Sequence, residues 1–223
     1  LAGEFRLNTK TDLSFIHRFE AATNPAAPIL LLLHGTGGDE NTLAPLGRAI
    51  APGAALLSPR GKVLEHGMAR FFRRLAHGLF DQEDLALRTN DLAQFVDASA
   101  KTYCFSTSRL IAVGFSNGAN IATSLLLRYP GTMAGAIVLR GMVPFVPETR
   151  VDLNRKPVLV ASGIDDPIVG TDEVEELADI FRAANADLTL HWEKSGHILS
   201  QGDVLMAFDW LRRFYGAKES TAK

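Results

Sequence analysis

The chain is 223 residues long, 47% apolar, with a formal net charge of −2. That length suits one large α/β domain with a sizeable core, and the apolar content argues against extensive disorder. The near-neutral balance excludes the electrostatic footprint of a nucleic-acid binder or of a protein held on an anionic membrane.

A single cysteine, Cys104, rules out an intrachain disulfide framework and points to a reducing, cytoplasmic setting. With no local signature, it reads as buried packing. No apolar run approaches the roughly 20 residues that span a bilayer. The start, Leu1-Ala2-Gly3-Glu4-Phe5, has neither the basic nor the apolar segment of a signal peptide. It also lacks an initiator Met, which leaves an earlier, removed segment open.

Residues 5–22 hold short alternating stretches, such as Leu13-Ser14-Phe15-Ile16-His17-Arg18-Phe19, which predict edge strands or a hairpin. After a turn at Asn24-Pro25-Ala26-Ala27-Pro28, Ile29-Leu30-Leu31-Leu32-Leu33 is apolar at every position. Such a run marks a strand buried on both faces, as in parallel sheets. The pattern returns at residues 54–57, 110–113, 135–139 and 157–161. Helical stretches over about 42–50, 85–101, 118–128 and 172–185 separate most of these runs. A strand at 188–192 and a last helix over 201–214 follow. Strands alternating with helices predict a mostly parallel, doubly wound α/β sheet covered on both faces. The whole chain, 1–223, reads as a single domain with a polar, flexible tail over 216–223.

Residues 60–84 break the alternation. Phe71, Phe72 and Phe80 stand there among charges and glycines with no clean period. The segment is either an irregular helix on the core or an insertion over the active site that adds apolar wall. Arg70, Arg73 and Arg74 in it read as a solvated helix face.

The chemistry centres on Gly114-Phe115-Ser116-Asn117-Gly118, set between an apolar run and a helical one. Gly-x-Ser-x-Gly in a strand-to-helix turn is a nucleophile elbow, which lifts the serine oxygen above the sheet. A serine needs a base, and the base needs a third group to orient it. On a hydrolase sheet the chain order is serine, acid, histidine. Two histidines follow Ser116. His191 lies within a predicted strand and reads as structural, whereas His197 follows that strand at the edge where open α/β sheets place their sites. The acid should follow the strand at 157–161, where Asp165 and Asp166 are both candidates. Two neighbours cannot both face one imidazole, and either can cap the next helix.

An oxyanion hole needs two backbone N–H groups, one after the nucleophile and one from an earlier loop. Asn117 supplies the first and Thr36, in His34-Gly35-Thr36-Gly37-Gly38, the second. A phosphate-cradling reading of that loop fails, because position 40 is Glu and no Gly-Lys-Ser/Thr follows. His34 reads as structural. There is no His-Glu-x-x-His and no cysteine pair, so zinc has no ligand set.

In combination, residues 33–40, 58–61, 114–119, 163–167 and 196–197 make the chain resemble the phospholipase/carboxylesterase family of α/β-hydrolases. That family includes acyl-protein thioesterases and small bacterial carboxylesterases. The resemblance implies an α/β-hydrolase fold and selects Asp166, the aspartate directly before Pro167, as the acid. It implies a small-molecule ester as substrate and no cofactor or metal, and it leaves a homodimer open. The expected activity is hydrolysis of short to medium acyl esters through an acyl-enzyme formed by Ser116, His197 and Asp166. A thioesterase or lysophospholipase would use the same groups. A non-catalytic binding protein on this fold would not need all three at the correct strand ends. Phe71, Phe72 and Met142 are candidate walls of an acyl pocket, because Met142 follows the strand 135–139 and the phenylalanines lie in the insertion.

Overall fold

The computed structural model describes residues 13–76 and 78–215. The expected tail, 216–223, and the first residues lie outside them. The strands and helices follow the alternation read from the sequence. In chain order they are β1 (His17–Glu20), β2 (Ile29–Leu33), α1 (Ala44–Ile50), β3 (Ala55–Pro59), β4 (Val63–Glu65), β5 (Met68–Arg70), β6 (Arg74–Ala76), β7 (Leu79–Phe80), α2 (Gln82–Thr102), β8 (Leu110–Phe115), α3 (Asn117–Arg128), β9 (Gly135–Leu139), β10 (Pro157–Gly163), α4 (Thr171–Ala183), β11 (Asp187–Glu193) and α5 (Gln201–Tyr215).

A seven-stranded sheet runs β1-β3-β2-β8-β9-β10-β11. β1 pairs antiparallel with β3, and all the other pairings are parallel. The all-apolar strands have the composition they do because both faces are covered. Alternate residues point to opposite sides, so Leu31, Leu33, Ala112 and Val138 pack under α2, α3 and α4. Their neighbours Leu30, Leu32, Val113 and Ile137 pack against α1 and α5. Helix α3, behind the central strand, is buried from Asn117 to Leu127. This is the mildly polar but wholly enclosed helix expected at the centre of a doubly wound sheet.

The segment 60–84 is not the irregular helix of the first reading. It contains no helix before Gln82, where Asp81 caps α2 by accepting the Asp84 N–H at 3.0 Å. Ahead of that cap lie two antiparallel pairs, β4 with β5 and β6 with β7. His66 and Gly67 join the first pair with φ of 50° and 80°. Two successive left-handed residues match the right-handed twist of a tight hairpin, which a helix cannot accommodate. Cys104 also departs from expectation. It is exposed, in a left-handed turn (φ 55°) just beyond the end of α2, so it does not pack in the core. No helix among the described residues is long and apolar enough to cross a membrane.

Candidate active site

Ser116 sits where β8 turns into α3, with φ 52° and ψ −116°. A serine held in that region is strained. The sharp reversal is possible because a Cβ at Gly114 would run into Gly118 and Ala119, and one at Gly118 would run into Leu33 and His34. The Ser116 N–H donates to the Leu139 carbonyl at 2.9 Å, which ties the elbow to the neighbouring strand.

His197 Nε2 lies 2.9 Å from Ser116 Oγ, and His197 Nδ1 lies 2.8 Å from Asp166 Oδ2. A carboxylate only accepts, so Nδ1 carries the proton and Nε2 is left to accept from the serine hydroxyl. The Asp166 side chain is 0% exposed. Its other oxygen accepts the Ile168 and Val169 N–H groups at 2.8 and 3.1 Å. Asp165 is exposed, and the hydrogen bond to His197 Nδ1 is made by Asp166. The residue before proline thus lies in contact with the histidine, and its neighbour does not.

Asn117 begins α3, and Thr36 lies on the loop after β2. Neither backbone N–H has an acceptor among the described residues. The first N–H groups of a helix are orphaned and sit at its positive end, a natural seat for negative charge. His34 shapes the Thr36 loop. It is buried, its Nδ1–H donates to the Gly35 carbonyl at 2.7 Å, and its Nε2 accepts the Gly61 N–H at 3.0 Å. Burial pushes its pKa below the ordinary 6.5, against the pull of the Gly35 carbonyl, so it stays neutral and serves as a brace.

The hairpin segment closes round this machinery. Gly37 N–H donates to the Ala69 carbonyl at 2.9 Å, Phe71 N–H to Asn117 Oδ1 at 2.7 Å, and Arg70 Nη1 to Thr36 Oγ1 at 2.6 Å. The residues carrying both orphan N–H groups are therefore held by one inserted element. A cavity of about 290 Å³ opens above Ser116. Phe80, Phe115, Met142 and Ile168 form its apolar side, and Thr36, Arg70, Arg74, Asn117 and Asn120 its polar side. Met142 is kept in place by its N–H, which donates to Asn120 Oδ1 at 2.8 Å.

Phe71 and Phe72 do not line this cavity. They are 1% and 0% exposed, and they bury the hairpins on the core; Phe72 meets Phe80 edge-on at 5.1 Å. The alternation of the segment turns Arg70 and Phe80 toward the cavity instead. The arginines are no helix face: Arg70 is buried, Arg74 pairs with Glu65, and only Arg73, on Asp81, is a solvated pair. Phe72→Ala should therefore act as a core truncation, costing about 3–5 kcal/mol. Chemical denaturation measures that loss, and the acyl-chain preference of the folded fraction should not move.

A model of the phospholipase/carboxylesterase family matches residues 16–212. The chain belongs to that family. The putative hydrolase MhqD of Bacillus subtilis is 45% identical to this family member over 196 residues, 88% of this chain and 97% of that one. The Bacillus cereus carboxylesterase structure has a TM-score of 0.86 at 46% identity, covering 88% of this chain and 92% of the other. The structure of YahD with malic acid has a TM-score of 0.84 at 33% identity, over 88% and 97% of the two chains. As a phospholipase/carboxylesterase family protein, the chain is a hydrolase of the carboxylesterase class with a small-molecule substrate.

One device in this family member has no signature in its sequence. Arg140, at the end of β9, is 0% exposed and forks onto Asp203 of α5 at 2.9 and 2.7 Å. The same guanidinium donates to Gly196 O, Ser195 Oγ and Ile198 O at 3.1, 2.9 and 3.0 Å. The loop carrying His197 is thus clamped on both sides of the histidine. Burial pushes the Asp203 carboxyl up, but hydrogen bonds from Arg140 and the Ser200 N–H, with the Arg140 charge, outweigh it and hold its pKa below the ordinary 3.8. A carboxyl depressed on folding stabilises the protein above its unfolded pKa and loses that contribution as pH falls through the lower folded value. Asp203→Asn should cost about 3–5 kcal/mol near neutral pH, because it strands a buried guanidinium. In urea melts taken from pH 7 to below pH 4, its deficit against wild type should shrink toward the acid end. A deficit that stays constant with pH would remove the ionic account.

Proposed function

We propose that the chain hydrolyses carboxylic esters of short to medium acyl length through an acyl-enzyme on Ser116. The observation that carries this reading is the unbroken chain Ser116–His197–Asp166, at 2.9 and 2.8 Å, beside two unpartnered N–H groups. His197 Nε2 takes the serine proton as Oγ bonds to the ester carbonyl carbon. The carbonyl oxygen becomes an oxyanion held by Thr36 N–H and Asn117 N–H. Asp166 keeps the tautomer and offsets the imidazolium charge. His197 then gives its proton to the departing alkoxide, and the alcohol leaves. Water, deprotonated by the same nitrogen, attacks the acyl-enzyme and frees the acid.

The size of the cavity supports small substrates, since about 290 Å³ is at the low end of ligand pockets. Each acyl methylene set against Phe80, Phe115 and Met142 should contribute about 0.8 kcal/mol until the space is full. We place the enzyme in the cytoplasm, consistent with its one, free cysteine, and read the whole chain as one catalytic domain.

A p-nitrophenyl ester series of increasing acyl length tests this reading, with the matching thioesters alongside. In wild type, kcat/KM should rise and then fall along the series. Met142→Ala should move the optimum to longer chains without abolishing turnover. A profile that is flat, or unaltered in folded Met142→Ala, would take this wall out of substrate recognition.

A further inference from the structure

The polar side of the cavity holds more positive charge than ester hydrolysis uses. The Arg70 side chain is 4% exposed. Its Nη1 is engaged with Thr36 Oγ1, and its Nε lies 3.2 Å from Glu65 Oε2 and 3.3 Å from the Phe72 carbonyl. Its Nη2 has no acceptor among the described residues. Arg74 directs both Nε and Nη2 onto one oxygen, Glu65 Oε1, at 2.8 and 2.7 Å. Its Nη1 likewise has no acceptor among the described residues. Two guanidiniums therefore share one carboxylate, and none of the described residues lining the cavity is acidic. Burial pulls the Arg70 pKa below the ordinary arginine range; the Glu65 charge opposes that fall and the Arg74 charge adds to it.

The two free nitrogens are not among the buried donors left without a partner, and Arg74 is a third exposed, so solvent in the cavity reaches them and an anion entering there would take the place of that solvent on two cationic groups. Guanidinium is suited to the task, because its planar fork matches a carboxylate in geometry and charge. Glu65 already holds both forks in place, so little side-chain freedom is lost when an anion arrives.

We propose that Arg70 and Arg74 form a carboxylate-binding subsite, and that the preferred substrates are esters that also carry a carboxylate, such as half-esters of short dicarboxylic acids. The inference rests on the hydrolase reading above. The position of the subsite sets the spacing. Arg70 is hydrogen-bonded to Thr36, whose own N–H is assigned to the oxyanion in the reading above. The carboxylate must therefore lie only a few bonds from the scissile carbonyl. The apolar side of the cavity receives the rest of the molecule.

Two measurements test the subsite, one by turnover and one by binding. p-Nitrophenyl hydrogen succinate and p-nitrophenyl butyrate share a leaving group and chain length but differ in the terminal charge. Wild type should prefer the succinate ester. The ratio of the two kcat/KM values should fall roughly 10- to 100-fold in Arg74→Gln, the range for one hydrogen bond to a charged group. Arg74→Lys should keep part of the ratio. Independently, succinate should bind folded Ser116→Ala in calorimetry, with neutral succinamide binding far more weakly. A wild-type preference for butyrate, or no succinate binding to Ser116→Ala, overturns the subsite even if esters are hydrolysed. A ratio unchanged in folded Arg74→Gln and Arg74→Lys overturns it as well, leaving the arginines as braces for the hairpin. If wild type hydrolyses neither ester while succinate still binds, the hydrolase reading fails and the anion site stands.

Discussion

Under the proposed mechanism Ser116→Ala should lower kcat by on the order of 10⁴-fold or more, because triad members act as a unit and the residual rate comes only from the oxyanion donors and binding. The fold should be untouched. The Ser116 hydroxyl caps no helix N–H, and its one partner among the described residues is His197. The strained backbone at this position comes from the close approach of β8, α3 and β2, not from the hydroxyl. Alanine inherits that geometry, and the thermal midpoint should stay within a few degrees of wild type. Burst kinetics with a p-nitrophenyl ester, and labelling by a serine-directed phosphonate, provide independent readouts. Wild type should be labelled once and the variant not at all. A folded Ser116→Ala retaining a tenth of the wild-type kcat would end the assignment.

Asp166→Asn should be nearly as damaging, with kcat down by about 10⁴-fold. An amide beside His197 Nδ1 offers an N–H where the ring needs an acceptor, which favours the tautomer whose Nε2 carries a proton and cannot accept the serine's. The amide oxygen can still receive the Ile168 and Val169 N–H groups that Asp166 Oδ1 accepts, so the turn should hold. Asp165→Asn is the internal control. Asp165 is exposed, and its hydrogen bond among the described residues is made by its backbone N–H, which donates to the Ser195 carbonyl at 3.1 Å. Its kcat/KM should remain within a few-fold of wild type. Comparing the two variants at matched thermal stability decides which carboxylate orients the histidine, and a larger loss in Asp165→Asn would reverse the choice.

The order of strands and helices was legible because it is written in local periods. Ile29 to Leu33 and Leu110 to Val113 are apolar without interruption, which only a strand covered on both faces tolerates in water. The elbow was legible because its requirements are local as well: two glycines where chain segments nearly touch, and a serine between them. The choice between Asp165 and Asp166 was not local. It came from likeness to a family, and the turn after β10 shows which carboxylate meets His197.

The segment 60–84 was illegible for a physical reason. Its strands are two or three residues long, too short for a period to emerge, and its side chains answer to partners far away in sequence. Phe71 and Phe72 look like pocket walls in a list of apolar residues, but whether an apolar side chain faces a cavity or the core depends on which way a short strand is turned. Arg70 and Arg74 look like a solvated face until Glu65 and Thr36 are placed against them.

By itself, then, the amino-acid sequence determined the layer architecture and singled out Ser116, His197 and the loop after β2 as candidates, since each of these follows from periodicity, chain order or steric need. Only the tertiary structure decided the walls of the cavity, the paired arginines and the Arg140–Asp203 clamp on the histidine loop. Those depend on charges and donors brought together across separations such as the 63 residues between Arg140 and Asp203. No local pattern encodes such a meeting, because the free energy that favours it exists only once the sheet has brought the two elements side by side.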